Sequence, residues 1–535
     1  MSENAQAERT DADTGPADQT EVAAFLGDPA THGGAAVQRF DTHAAMVFVA
    51  GDRAYKIKRA VRYPYLDFST LDLRRAALEK ELTLNRRTAP TLYLGVEPIV
   101  REPSGGLRIG GGGGEAEVEW VLVMRAFAQS SLFDRLAQEG TLTPALLTAL
   151  VDEIKTFHAD AEVIGRDSVA RNNLARGGAS GTQATVSEND QDIAARPDLF
   201  PTEAARQLSE ASAAAIKALT PLLEKRWDGG LVRRCHGDLH LRNICLVDGR
   251  PTLFDAIEFN DAIACIDVFY DLAFLLMDLD HRGLRAEANL VLNRYLQDSD
   301  DLVVLATLPL FLSMRATVRA KVAATAERTQ SDATKRAALR TEAADYFAAA
   351  QAYLSPLPAR LVAVGGFSGS GKSTLARRIA PTLGAAPGAV ILRSDTARKA
   401  LFGVDELKPL PEKAYRPKIS AKVYRSLLER ARIALQAGHS VVLDAVYAKP
   451  AERDAAEAMA RELEVPFAGF WLEGQIGLLA HRTTTRRGDA SDATPEVVRR
   501  QAGSDLGTLT WHRLDAAQAP DQVAAAARRL LDLQP

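Results

Sequence analysis

Cysteine is scarce: Cys235, Cys245 and Cys265 are the only three in 535 residues. They form no CxxC pair and the count is odd, which excludes a disulfide framework and a zinc site of ordinary spacing and points to the reducing cytoplasm. Excess charge of one sign is lacking too. Lys and Arg number 65 against 69 Asp and Glu, a net charge of −4, with no long run of like charge. A polyanion-binding arm is therefore excluded, and long nucleic acid is not an expected partner. Long apolar runs are also few: residues 302–314 stop at Arg315, too short to cross a bilayer, and read as a buried helix. No membrane association is expected. Residues 1–20 are polar and acidic, without an apolar h-region, and read as a disordered leader rather than a signal peptide.

What is present is an ordinary globular composition on a chain too long for one core. Residues 21–129 read as a β-rich unit, with two strands in 47–58 around a Gly51-Asp52 turn. Its clear helix starts near Ser69, which has capping-box spacing to Asp72. The glycines of 105–114 read as a hairpin loop. Residues 130–354 read as helical, with a long polar loop at 171–197 and a β-like interruption at 235–259. Ser355-Pro-Leu-Pro358 opens a linker over 355–359. Beyond it, apolar runs at 361–364, 389–392, 441–443 and 466–472 alternate with helical stretches. That is the pattern of an α/β unit with a parallel sheet over 360–535.

The sharpest motif is Gly366-Phe-Ser368-Gly369-Ser370-Gly371-Lys372-Ser373-Thr374, a GxxxxGK[ST] P-loop between a strand and a helix. Its glycines let backbone N–H groups converge on phosphate oxygens at a helix N-terminus, with Lys372 reaching the outer phosphates and Ser373 holding Mg²⁺. Two later strands end in acids. Asp395 suits a general base for a substrate hydroxyl, and Asp444 has the hhhD position of a magnesium-binding strand. Arg398, a turn beyond Asp395, is placed to clamp an acidic group on the substrate. Arg482 and Arg486 share a helical face ahead of a polar turn, with Arg487 beside them, and suit a lid over a triphosphate.

On GFSGSGKST, RSDTARKAL, VVLDAVY and HRTTTRRGDASDATPEVVRRQ, which ends at Gln501, residues 360–535 resemble the small P-loop kinases that include gluconate kinase, chloramphenicol phosphotransferase and the zeta toxins. The resemblance implies ATP-dependent transfer to a hydroxyl with Asp395 as base. It leaves the acceptor open.

A second constellation lies upstream. In Cys235-His-Gly-Asp238-Leu-His-Leu-Arg-Asn243, the acid and the asparagine five positions on have the spacing of a kinase catalytic loop. Asp238 would take the hydroxyl proton, Asn243 would ligate Mg²⁺, and Asp255, ending another apolar run, would be the second metal ligand. This stretch resembles the aminoglycoside phosphotransferase family, also shared by choline and fructosamine kinases, over about residues 35–350, which implies a protein-kinase-like bilobal α+β fold. Asp267 and Asp271 follow as scaffold acids. Lys56 is the preferred strand lysine, although Lys58 shares its face and alternation does not choose between them; helical periodicity is likewise silent between Glu79 and Glu81, and the position of the partner in the family's helix implies Glu81. Ala45 stands where many relatives have a phosphate-touching serine. Residues 121–125, with Met124, read as the hinge that meets adenine.

The whole is similar to bacterial fusions of these two kinase types. It is expected to use ATP and Mg²⁺ in both halves on small-molecule hydroxyls. Two other readings are a kinase-like sensor regulating a P-loop ATPase, and an aminoglycoside-resistance enzyme with Glu258, Asp261, Asp278 and Asp280 forming an acidic pocket.

Overall fold

The computed structural model describes every residue except 1–17, 43, 64–65, 112–115, 168–175, 486–487 and 533–535. Most of the predicted leader therefore lies outside the described residues. Gln19 and Thr20, which close it, are ordered: the Gln19 amide donates to Glu119 at 2.7 Å, and Thr20 opens α1 (Thr20–Gly27).

Two compact units result. The described residues of 18–141 with 234–265 form the first, and those of 142–233 with 266 onward form the second. The linker at 355–359 is thus a connection inside the second unit, not a unit boundary.

The first unit is a six-stranded antiparallel sheet of β1 (Val37–Asp41), β2 (Ala45–Ala50), β3 (Arg53–Lys58), β4 (Tyr93–Arg101), β5 (Leu107–Ile109) and β6 (Ala116–Arg125), in the order β1-β2-β3-β6-β4-β5. Gly51 takes the positive φ of 59° that the turn between β2 and β3 requires. Helix α2 (Leu71–Asn85) packs on the sheet through Leu78. Its N-cap is Thr70, whose hydroxyl accepts from Leu73 N; Ser69, the expected start, is held instead by Asp67. The hairpin β7 (Ile244–Val247) and β8 (Arg250–Leu253) completes this unit.

The second unit begins with helices: α3 (Pro144–Asp160), α4 (Gly178–Ala194), α5 (Thr202–Asp228), α6 (Val268–His281), α7 (Arg285–Leu296), α8 (Leu308–Thr329) and α9 (Ala333–Tyr353). Helix α4 corrects the expected loop at 171–197. Its one-face burial of Gly178, Gly181, Thr182, Val186, Asn189 and Ile193 supplies tertiary packing that a Gly/Ser/Asn-rich composition conceals. The stretch 302–329 is long and apolar enough to cross a membrane, and 72% of its most apolar window is buried inside this unit. Asp267 accepts both arms of the Arg226 guanidinium and caps α6, while Asp271 meets His158 at 3.1 Å, so both acids are scaffold here.

The same unit continues into a five-stranded parallel sheet: β9 (Leu361–Gly366), β10 (Val390–Arg393), β11 (Val441–Asp444), β12 (Phe467–Glu473) and β13 (His512–Asp515), in the order β10-β11-β9-β12-β13. Around it run α10 (Lys372–Ile379), α11 (Ser394–Leu401), α12 (Pro417–Gln436), α13 (Pro450–Glu462), α14 (Ile476–Thr485), α15 (Pro495–Ala502) and α16 (Pro520–Leu530). The central β9 is buried on both faces, which is why its sequence is a continuous apolar run.

Candidate active sites

In the first unit, Lys56 Nζ lies 2.7 Å from Glu81 Oε1 and 2.7 Å from Asp255 Oδ1. Lys58, two residues along the same face, takes the other oxygen of Glu81 at 2.6 Å and Glu258 at 2.5 Å. Glu81 is the helix partner because α2 turns Leu78, Glu81 and Asn85 inward, whereas Glu79 is exposed and pairs with Arg75. Both lysines meet Glu81, and Lys56 is the one that also meets the metal-ligand candidate. Burial works against the charge on Lys56, but the carboxylates of Asp255 and Glu81 prevail and hold its pKa well above the ordinary value. Burial likewise opposes the charge on Asp255, and Lys56 outweighs it, leaving that carboxyl below its usual range.

Asp255 has a φ of 61°, a strained conformation for a residue with a side chain. Two residues absent from the sequence reading hold it there. Tyr93 Oη accepts from Asp255 N at 3.0 Å, and Asn85 Oδ1 accepts from Ala256 N at 2.8 Å. Asn85 lies one turn beyond Glu81, on the inward face of α2, which was the signal available for it.

The loop bearing Asp238 is fastened to the same place. Asp238 N donates to His236 Nδ1, which leaves Nε2–H to donate to Phe254 O at 2.9 Å, and Phe254 N donates to Asn243 O. Asn243 Nδ2 donates to Asp238 Oδ2 at 2.8 Å, so its amide oxygen is the atom left for a cation. Asp238 also bears on Asp255, whose carboxyl its charge tends to raise. Met124 lies in β6 with its side chain in the core beside Leu78 and Tyr93. Ala45 is the first residue of β2, and Thr42 closes the turn before it by accepting from Ala45 N.

In the second unit, the loop from Gly366 to Gly371 joins β9 to α10 with Gly366, Gly369 and Gly371 at φ of 138°, 81° and 93°. A Cβ on Gly369 would come within 2.2 Å of Leu479 O, so only glycine lets the loop pass there. Ser370 Oγ is buried with no hydrogen-bond partner among the described residues. Ser373 Oγ donates to Asp444 Oδ2 at 2.5 Å, and Lys372 Nζ donates to Phe367 O at 3.1 Å. Thr374 is exposed in the first turn of α10. Asp395 sits in the first turn of α11, where burial pushes its carboxyl up against the opposing pull of Arg393 and Lys372; Asp444 acts with the burial.

The sequence named Gln501 only as the end of the lid-like motif and gave no sign of three sets of contacts. Arg393 bridges Asp444 at 3.2 Å and Asp489 at 3.1 Å, Gln501 Oε1 accepts from Ser368 N at 2.8 Å, and Asp492 gathers Lys399, Tyr415 and Leu410 N. Each is a polar residue whose partner comes from a distant segment, so spacing along the chain gives no sign of it. Two expected roles change. Arg398 is buried, donates to Ala414 O and stacks over Tyr415, so it braces the turn there instead of standing open as a clamp. Arg482 donates to Ala516 O at 2.8 Å, while Arg486 and Arg487 lie outside the described residues.

The acidic-pocket reading loses its basis, since each acid is already partnered. Glu258 meets Lys58, Asp261 meets Arg234 and Lys80, Asp278 meets Arg282, and Asp280 meets Tyr353 and Arg285.

The residues present fit ATP and magnesium in both places. In the P-loop a buried Ser370 hydroxyl has no partner among the described residues, and hydroxyl, carboxylate and amide oxygens are the hard donors that Mg²⁺ prefers. The class that the fold and these residues define is an ATP-dependent kinase, a protein-kinase-like α+β half joined to a P-loop kinase half.

Residues 361–504 match the family described as an AAA domain. The chain is 30% identical over 484 residues to "Uncharacterized protein Rv2004c" of Mycobacterium tuberculosis, an alignment spanning 89% of this chain and 92% of that protein. The chain belongs to the family of that mycobacterial protein. Among solved structures it is similar to a sugar kinase from Janibacter sp. HTCC2649, with 26% identity over 33% of this chain and 97% of that one and a TM-score of 0.25. It is also similar to a choline/ethanolamine kinase family protein from Mesorhizobium loti, with 14% identity over 62% of this chain and 98% of that one and a TM-score of 0.37.

Proposed function

We propose that the protein is a bifunctional phosphotransferase, each half moving the γ-phosphate of ATP to a hydroxyl of a small molecule in the cytoplasm. The observation that carries this reading is that each half gathers a carboxylate suited to a base with oxygen donors suited to a metal: Asp238 with Asn243 and Asp255, and Asp395 with Ser373 and Asp444.

In the first half, Asp238 receives the proton of the acceptor hydroxyl as its oxygen attacks, while Lys56, fixed by Glu81, neutralises phosphate charge. In the second half, Asp395 plays the base, and Lys372 with the loop N–H groups cradles the transferring group. Magnesium would be held by Asn243 and Asp255 in one half and by Ser373 and Asp444 in the other, and would shield the charge that develops on the phosphate oxygens. Loop geometry of this kind needs little else, because phosphoryl transfer is mostly positioning and charge compensation. The near balance of 65 basic and 69 acidic residues favours small acceptors over long nucleic acid.

The test is a screen of metabolite pools for new phosphate esters with wild type, Asp238→Ala and Lys372→Ala. Two products, each lost with one substitution, support the proposal. ATP turnover that the metabolite pools do not accelerate, with no ester formed, contradicts it and favours the sensor-and-ATPase arrangement.

A further inference from the structure

Strand β10 is an edge strand: β11 covers one side, where Val390 N donates to Ser440 O, and among the described residues no strand covers the other. An open edge leaves backbone N–H and C=O groups unpaired. Here the outward pair is taken by a side chain. Asn293 Oδ1, on α7, accepts from Ile391 N at 2.6 Å, and Asn293 Nδ2 donates to Ala389 O at 3.1 Å. In a parallel ladder, one residue of the neighbouring strand bonds the C=O before and the N–H after the residue it faces. The carboxamide of Asn293 reproduces that pattern opposite Val390.

Its orientation is fixed by Asn289, one turn earlier and 2% exposed. Asn289 Nδ2 donates to the same Ala389 O at 3.0 Å, and Asn289 Oδ1 accepts from Asn293 Nδ2 at 3.1 Å. The grip continues past α11. Arg294 and Gln297 hold the two oxygens of Glu406 at 3.0 and 2.8 Å, in the loop that runs on to Leu410, whose N–H donates to Asp492. Arg294 is itself anchored to Asp152 of α3 at 2.8 and 2.9 Å. Both ends of the segment that carries Asp395 are therefore held by α7.

We infer that α7, a helix from the kinase-like half of the sequence, is a working part of the P-loop half: Asn293 is a positioning residue that stands in for a missing strand and sets β10 and Asp395. This rests on Asp395 as base. It implies that the two halves are fused because one supplies a wall of the other's acceptor side, and that the P-loop half depends on the helical lobe for turnover but not for holding nucleotide.

Hydrogen exchange on the full chain tests it, with ATP hydrolysis in an Asp238→Ala background, without added acceptor, as the functional readout. In Asn293→Ala, exchange at Ile391 and across 391–401 speeds up about tenfold while 366–374 is unchanged, and Asn293→Asp, which keeps an oxygen for Ile391 N–H, retains protection at Ile391. Hydrolysis kcat falls about fivefold or more, with KM for ATP within about twofold. Unchanged exchange at 391–401, uniform acceleration over 361–530, or a raised KM with kcat kept would overturn the inference. Persistence of hydrolysis in Lys372→Ala is a separate result, and it overturns the P-loop reading instead.

Discussion

Lys56 and Asp255 are 199 positions apart in sequence and 2.7 Å apart at Nζ and Oδ1. The fold uses that contact to bring a strand lysine and a metal-ligand acid to one point, with Glu81 behind them. Beside it, Lys58 and Glu258 form a second buried pair on the same glutamate.

The two lysines therefore have separable roles. Lys56→Met should lower phosphotransfer by the first half about 10²- to 10³-fold with a small change in melting temperature, since Glu81 keeps Lys58. Lys58→Met strands a buried carboxyl on Glu258 and should cost about 3 kcal/mol or more of stability. Paired melting curves and rate measurements check this, and equal effects of the two substitutions would contradict it.

Asn85→Ala removes the acceptor for the N–H of Ala256 and should destabilise the first unit by about 1–3 kcal/mol. Because that bond helps to hold Asp255 at positive φ, the magnesium concentration giving half-maximal activity of the first half should rise. A magnesium titration of wild type and variant decides it.

Asp395→Asn should reduce transfer by the second half about 10²- to 10⁴-fold while leaving nucleotide binding near wild type. The Asp395 pKa is raised by burial, so the folded chain holds that proton more tightly than the unfolded one. Its contribution to stability grows as pH falls through the folded value and disappears above it, whereas base function is lost over the same fall. The acid limb of the second half's pH–rate profile should thus lie above the ordinary aspartate range and vanish in Asp395→Asn.

His439 is buried, its Nε2–H donates to Gly388 O at 2.7 Å, and burial lowers its pKa to about 4 from 6.5. A histidine that is harder to protonate when folded withdraws stability as pH falls below 6.5, and the loss is complete near the folded value. Unfolding free energies measured between pH 7.5 and 4.5 should show a decline reaching about 3 kcal/mol that His439→Gln does not share. Parallel declines in both proteins would contradict the assignment.

Much of this was legible in the chain. The P-loop and the acid-to-asparagine spacing from Asp238 to Asn243 are local signals, since neighbours in sequence do the chemistry together. Glu81 could be preferred to Glu79 only weakly, because the two flank one apolar stripe, and burial of the α2 face decided it. Helix α4 was hidden behind glycine and serine, and its packing overrides weak propensity. The roles of Asn293 and Arg393, and the partner of Gln501, were invisible for a different reason: each acts on backbone or acids up to 133 residues away, and one sequence does not encode such pairings in any spacing.

The central claim is two nucleotide sites in one chain, and equilibrium binding of a non-hydrolysable ATP analogue with magnesium tests it most directly. Two equivalents per chain should bind to the wild type, one each to Lys56→Met and Lys372→Ala, and none to the double variant. A single equivalent in the wild type, or two retained in either single variant, would contradict it.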